Sequence, residues 1–409
     1  MGDYGWTKGV SLFFLLTFLA AMVLLPLHSG TARVHASDIV SPSPDVIVGF
    51  QPGTEVSVQN ALVSRYGGTV LERNDTLNYV VVRVDKPAQF IDQITRETAV
   101  RYAEIDTPVR SFETAAYAPS EPLYWLQWGL SNIKADLAWD IEKGSKEVTI
   151  AIIDTGIDYN HPDLTNYISG GYDWVNDDPD PWDDNGHGTH VAGIAAATID
   201  NNIGIAGIAQ VNLIAEKVLD ATGEGYVSDV AQGIQHAVDL GADIIVLSLD
   251  GESSSVERDA CRYAWEQGSL LVAATGNDNQ EGIAYPAAYE TVISVGAIDQ
   301  SSQHASFSNW GEEMELVAPG VNIVSTVPGN GYESWSGTSL ATPHVAGVAA
   351  LVWSVSPGLT NKEVRELLIQ TADDLGDAGW DEYYGYGRVD AQEAVSEAAS
   401  RWLRGVWGD

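Results

Sequence analysis

Apolar positions along the chain follow two different rhythms. Between residues 45 and 110, short apolar runs alternate with amphipathic stretches. The pattern predicts a strand at 46–50, a helix at 56–66, strands at 69–72 and 79–84, a helix at 87–99 and a strand at 100–105. Gly67-Gly68 ends the first helix, and Asn74-Asp75 marks the turn between the middle strands. The order βαββαβ makes a small α+β unit near the lower size limit for independent folding. From Trp125 onward the rhythm changes. Residues 148–153, Val-Thr-Ile-Ala-Ile-Ile, are almost continuously apolar, as expected of a strand buried on both faces. Similar runs stand at 213–219, 244–249, 270–274 and 291–295, with helices predicted at 188–197, 227–240, 256–268 and 391–403. Such alternation predicts a parallel sheet with helices on both faces, a three-layer α/β architecture with ligands at the carboxyl ends of strands. The polar, Ala-rich stretch 111–122 reads as an exposed linker and a natural cleavage point. The chain ends soon after the last predicted helix, so no appended carboxyl-terminal domain is expected, and monomeric action is the default.

Composition narrows the function classes. The 409 residues include 57 acids against 20 Lys and Arg, a formal charge of −37. This argues against nucleic-acid binding, which needs a basic footprint. It suits a high-salt environment that screens self-repulsion, dense cation binding, or simply high solubility. Lys8 precedes an apolar run at 10–27, and Val34-His35-Ala36 closes it with small residues at the two key positions. Residues 1–36 therefore read as an export signal cut after Ala36. Uncleaved, the run is long enough for a membrane anchor. Cys261 is the sole cysteine, so no intrachain disulfide forms. Its place between Ala260 and Ala264 on a predicted helix reads as a small buried hydrophobe.

The chemistry gathers on one turn. In 336–347, Ser-Gly-Thr-Ser-Leu-Ala-Thr-Pro-His-Val-Ala-Gly, glycine and small hydroxyl residues surround Ser339 ahead of an Ala-rich helix. Pro343 is read as belonging to the first helical turn, where its missing N–H does no harm. A hydroxyl at a helix N-terminus is either an ordinary cap or a nucleophile beside unpaired N–H groups. Three further residues favour the second reading. Asp154 ends the strand at 148–153. His187 opens a helix between Gly186 and Gly188. Asn277 follows the strand at 270–274. A serine needs a base to take its proton, histidine suits that task near neutral pH, and a carboxylate fixes the imidazole's tautomer. A side-chain amide and a backbone N–H can hold the oxyanion. His187 with His190 lacks the Glu and the spacing of a zinc-protease helix. An α/β-hydrolase elbow needs Gly at position 341, where Ala stands, and the opposite residue order.

Asp154-Thr155-Gly156, His187-Gly188-Thr189-His190 and Gly337-Thr338-Ser339-Leu340-Ala341-Thr342-Pro343 resemble the motifs of the subtilisin family of serine endopeptidases, and most nearly its thermitase-like branch. The resemblance spans roughly residues 122–399. It implies a subtilisin-like three-layer fold at 117–409, preceded by a ferredoxin-like inhibitory propeptide at 37–116. It also implies an autoprocessed zymogen cut between residues 112 and 118, near Tyr117. By the resemblance Asp154 orients, His187 is general base and acid, Ser339 attacks, and Asn277 with the Ser339 N–H forms the oxyanion hole. The implied partners are protein or peptide substrates and the chain's own propeptide. A peptide would bind as an added strand between Gly223-Glu224-Gly225 and Ser248-Leu249-Asp250. Many relatives have glycine where this chain has Asp250. Ala274, Thr275 and Gly276 would form a pocket wall and Ala284 its small floor, which suits large apolar side chains; Asp278 and Glu281 near the rim would admit basic ones. The family usually carries methionine after the nucleophile, and here it is Leu340. A catalytically silent binding relative and a membrane-tethered processing protease are the other readings.

Calcium is the implied cofactor. Asp173, Asn176, Asp178 and Asp180 present hard oxygens at every second or third position, as Ca²⁺ prefers, or else form a solvated acidic loop. The resemblance adds that this is the thermitase calcium loop, whose last ligand falls on the carbonyl of Trp182. It also implies a second ion held by Glu121, Asp163 and Asn201 with the carbonyls of Thr198, Ile203 and Ile205.

Overall fold

Alternate residues of the first strand, Val46, Val48 and Phe50, are fully buried and pack with Val80, Val82, Phe90 and Ile94. This period of two builds the first unit. The computed structural model describes residues 45–84, 86–106, 117–167 and 170–407, so the predicted signal and residues 112–116 of the proposed cleavage segment 112–118 lie outside the described residues. The first unit runs β1 (Val46–Phe50), α1 (Val56–Arg65), β2 (Thr69–Asn74), β3 (Tyr79–Arg83), α2 (Pro87–Ile94) and β4 (Val100–Ile105). Its strands form one antiparallel sheet in the order β2-β3-β1-β4. Helix α2 stops at Ile94 rather than at 99, and Thr95 closes it by bonding back to the Ile91 carbonyl at 2.7 Å.

The second unit begins with short helices α3 (Trp128–Asn132) and α4 (Ala135–Ala138). There follow β5 (Thr149–Asp154), β6 (Tyr172–Asp173), α5 (His187–Ala196), β7 (Asn212–Lys217), α6 (Val227–Asp239), β8 (Ile244–Leu247), α7 (Ser255–Gln267), β9 (Leu270–Ala274), β10 (Val292–Ile298) and β11 (Leu316–Pro319). The hairpin β12 (Ile323–Val327) and β13 (Gly331–Trp335) precedes α8 (Thr338–Val355), α9 (Asn361–Gln370) and α10 (Ala391–Trp407). Seven strands form a parallel sheet in the order β11-β10-β9-β8-β5-β7-β6. Residues of β5 are buried on both sides. Ile150 and Ile152 join the core under α5, α8 and α10, whereas Ala151 and Ile153 join the core under α6 and α7. The chain runs to one side of β5 through β7 and to the other through β8. The crevice at the carboxyl end of β5 is therefore the topological switch point, the expected place for a ligand.

Further points depart from the sequence reading. Strand β8 ends at Leu247, which leaves Ser248, Leu249 and Asp250 in the following loop. The β12–β13 hairpin escaped the periodicity because Ser325 and Thr326 are buried polar residues. Their hydroxyls bond the carbonyls of His190 and Thr189 on α5, at 2.6 and 2.8 Å. Pro343 lies inside α8 rather than in its first turn. The described part of the predicted linker is only half exposed: Ala118, Ser120 and Pro122 face outward while their neighbours pack. Tyr117 meets the Trp139 ring edge-on at 6.0 Å and bonds Asp200, Pro119 is buried, and Glu121 is 4% exposed.

Candidate active site

Asp154 is the last residue of β5 and is fully buried. Its two oxygens lie 2.8 and 2.9 Å from His187 Nδ1, and Oδ1 also accepts the Thr155 N–H at 2.7 Å. His187 is the first residue of α5, and 26% of its side chain is exposed. Glycine is needed on both sides. Gly186 has φ 115°, in the left-handed region. A Cβ on Gly188 would lie 2.1 Å from the Gly156 carbonyl and 3.1 Å from Asp154 Cβ.

Asp183 was not singled out by the sequence as part of this site, yet it organises the histidine turn. Its buried carboxylate accepts five hydrogen bonds, from Thr155 Oγ1, Asn185 N, Gly186 N, Thr189 N and Thr189 Oγ1. A carboxylate at a helix N-terminus satisfies amides that lack helical acceptors. The available signal was an acid four residues before the helix-opening histidine, but it was masked by the acidic run before it. Lys217, 1% exposed, supports the adjoining turn by donating to the carbonyls of Thr155 and Leu219 and to Asp184. Burial disfavours the His187 imidazolium, but the Asp154 charge and hydrogen bond, with help from Asp183, more than offset this and raise its pKa above the usual histidine value.

Ser339 is the second residue of α8, so its N–H has no acceptor within the helix. Among the described residues its hydroxyl makes no hydrogen bond; it faces the cleft that His187 also lines. The Asn277 side-chain oxygen accepts from Thr338 N at 2.9 Å and Thr338 Oγ1 at 3.1 Å, which leaves the amide NH₂ available. A Cβ on Gly337 would lie 2.9 Å from Ser339 Oγ and 3.7 Å from Asn277 Nδ2. Hydroxyl and amide thus flank one small space that a side chain would fill.

The cleft holds about 600 Å³. Gly223, Glu224, Gly225, Ser248, Leu249, Asp250, Ala274 and Gly276 all line it with His187, Asn277 and Ser339. Thr275 does not; it is buried, with its hydroxyl unpartnered. Ala284 lies behind the wall, where it bonds the Thr275 carbonyl, and lines a neighbouring pocket with Asp250, Asp278 and Glu281. Desolvation, and then the charge of Asp278, raise the Asp250 carboxyl pKa. His190 stacks on Trp335 at 4.5 Å, and burial lowers its pKa to about 3. His344 bonds the Leu340 carbonyl within α8. Leu340 and Cys261 are buried.

The expected calcium ligands divide. Asp163 is fully buried and accepts from Asn201 Nδ2, Ile205 N and Tyr332 Oη. Glu121 accepts from Asn201 N through one oxygen, while its other oxygen is buried without a donor. Asn201 Oδ1 accepts from Ile203 N, and Thr198 N bonds the Asp163 carbonyl. Around the acidic loop, Asp173 accepts from Val175 N, Asn176 N and Asn176 Nδ2; Asp178 accepts from Asp180 N, and Asp180 from Tyr159. Among the described residues no three Asp, Glu, His or Cys side chains converge as a metal cluster.

A parallel sheet with a buried Asp–His pair, a helix-start serine and an amide at its switch point defines a serine-hydrolase site. Known proteins agree. Residues 145–387 match the Subtilase family, and residues 44–106 match the Fervidolysin N-terminal prodomain. The chain is 44% identical over 358 residues to a thermophilic serine proteinase of Bacillus sp. (strain AK1), covering 86% of this chain and 87% of that protein. It is 45% identical over 282 residues to thermitase of Thermoactinomyces vulgaris, covering 68% and 99%. To the halolysin-like extracellular serine protease Nep of Natrialba magadii it is 40% identical over 370 residues, covering 86% and 67%. The chain belongs to the subtilase family. It is a subtilisin-like serine endopeptidase made with an N-terminal propeptide.

Proposed function

We propose that Asp154, His187 and Ser339 are the catalytic triad and that Asn277 Nδ2 and the Ser339 N–H form the oxyanion hole. The observation that carries this reading is the buried Asp154–His187 bond at 2.8 Å, which opens into the same cleft as Ser339 and Asn277. Ser339 Oγ adds to the peptide carbonyl carbon while His187 Nε2 takes its proton. The new oxyanion lies between the two N–H donors. The intermediate then collapses, the C–N bond breaks, and His187 returns the proton to the leaving amine. Water, deprotonated by the same imidazole, cleaves the ester and restores Ser339. Asp154 stabilises the imidazolium in each half. An organophosphate should label Ser339 in the processed enzyme and leave Ser339→Ala unlabelled; equal labelling of both would remove the assignment.

The substrate strand is assigned to the loops 223–225 and 248–250, and Gly276 with Ala284 behind it bounds a pocket for a large side chain. Among the described residues the carboxylates of Asp250, Asp278 and Glu281 have no salt bridge, so the pocket rim also suits basic residues. A peptide-library profile with no preference for large or basic residues before the scissile bond would overturn this. The domain division assigned is a signal at 1–36, propeptide at 37–116 and protease at 117–409, with a self-cut near Tyr117. Secretion is supported by the extracellular relative. Amino-terminal sequencing of the exported product tests both boundaries.

Calcium is assigned to Glu121, Asp163 and Asn201. The unpartnered, buried Glu121 oxygen supports it, since a hard cation is the natural partner for such a group. Burial raises the Glu121 pKa, as expected of a carboxylate without a positive neighbour. The ion would tie residues near the mature N-terminus to the loop at 198–205. At a hundredfold excess over Kd it adds about 2.7 kcal/mol to stability. The loop at 173–180 rests on its spacing and on its resemblance to the thermitase loop. EDTA should lower the thermal midpoint by several degrees, and less so in Glu121→Gln. An unchanged midpoint would remove the ion.

A further inference from the structure

We propose that Ser248 is a positioning residue for the nucleophile, its hydroxyl replacing the helical hydrogen bond that Pro343 denies to Ser339. The inference rests on reading Ser339 as the nucleophile. In a regular helix the Ser339 carbonyl would accept from the N–H of residue 343. That residue is proline, within α8, and has no N–H. The carbonyl accepts instead from Ser248 Oγ at 2.8 Å. Ser248 follows the end of β8 and is 4% exposed.

The neighbouring carbonyls make the arrangement clearer. Thr342 Oγ1 donates to the Thr338 carbonyl at 3.0 Å, and His344 Nδ1 bonds the Leu340 carbonyl at 2.8 Å. Three consecutive carbonyls, at 338, 339 and 340, are therefore each held by a side chain. Of these three, that of Ser339 alone is held from outside α8. The bond ties the nucleophile's backbone to the strand end whose next residues, Leu249 and Asp250, line the cleft. Asn277 Oδ1 holds Thr338 N in the same way from the end of β9. The position of Ser339 relative to the oxyanion donors is thus set by two side chains on two neighbouring strand ends. Displacing a reacting group by a fraction of an ångström slows attack without weakening substrate binding.

The test is a cycle of Ser248→Ala, Pro343→Ala and the double variant, with Ser248→Thr as a control that keeps the hydroxyl. Processed enzymes are compared by organophosphate labelling rate and by kcat and KM on a peptide amide. Ser248→Ala should lower the labelling rate and kcat by roughly three- to tenfold, the worth of one neutral hydrogen bond, with KM within about twofold. Ser248→Thr should retain most of kcat. In the Pro343→Ala background, where an N–H is restored, Ser248→Ala should have a clearly smaller effect. A kcat for Ser248→Ala equal to wild type, an equal loss in both backgrounds, or a loss carried by KM would each overturn the proposal. Absence of label on Ser339 in the wild-type enzyme would instead overturn the nucleophile assignment, and the proposal with it.

Discussion

The two helices that carry His187 and Ser339 start in opposite ways. At α5 the buried Asp183 carboxylate collects amides and hydroxyls from the first turn, and the histidine beside it is held in a strongly negative setting. At α8 no side chain of the preceding residue caps the helix, and the neutral groups Asn277 and Ser248 hold Thr338 and Ser339. The difference follows from the charge each helix meets. A histidine that must accept a proton is helped by a fixed anion. A serine that must develop an oxyanion needs N–H groups left free, and a carboxylate cap would occupy them and repel the new charge.

This contrast can be broken at either end. The largest effect is expected at the histidine's partner. Asp154→Asn should lower kcat by about 10⁴-fold, measured on a peptide amide at neutral pH. At the other helix, Asn277→Ala should cost about 10²- to 10³-fold in kcat with little change in KM; a loss confined to KM would place the amide in binding instead. Asp183→Asn sharpens the comparison, because it removes charge without removing a triad member. Activity needs neutral His187, so the acid limb of the kcat profile sits at the raised pKa. Removing the Asp183 charge should shift that limb to lower pH and cost about 2–3 kcal/mol of stability. Separately, the raised His187 pKa contributes stability that is fully present below the ordinary histidine pKa and is lost as pH rises through the raised one. An unmoved limb would reduce Asp183 to a structural cap. The smallest effect concerns Leu340, which is 1% exposed beside the nucleophile. Leu340→Met should keep near-normal activity but lose it faster in peroxide, because a sulfoxide there is polar and bulky.

Local pattern made much of this legible. Five strands of the parallel sheet were visible because continuous apolar runs have no alternative to burial on both faces; the short edge strands β6 and β11 were not, since two to four residues make no such run. Asp154, His187, Asn277 and Ser339 stood out because chemistry-bearing residues sat at strand ends and helix starts with glycines beside them. Boundaries were less visible. Strand β8 reads on to Leu249 by hydropathy, but its pairing with β9 ends at Leu247, opposite Ala273. Tyr117 and Glu121 read as linker by composition, yet Tyr117 packs edge-on against Trp139 and Glu121 is buried and bonded by Asn201.

By itself, the sequence determined the two-unit plan, the α/β class and the residue types able to do acyl transfer, since these depend on periodicity and on side-chain chemistry. The tertiary structure alone decided which groups meet. It turned Asp183 from one acid in an acidic loop into the anchor of the histidine turn. It gave Ser248, expected only as a substrate edge, the carbonyl that Pro343 leaves without a donor. The Ser248 contact joins segments 91 residues apart and leaves no local pattern in either; Asp183 works mainly within its own turn, through residues 185, 186 and 189, and only its bond from Thr155 reaches a distant strand end.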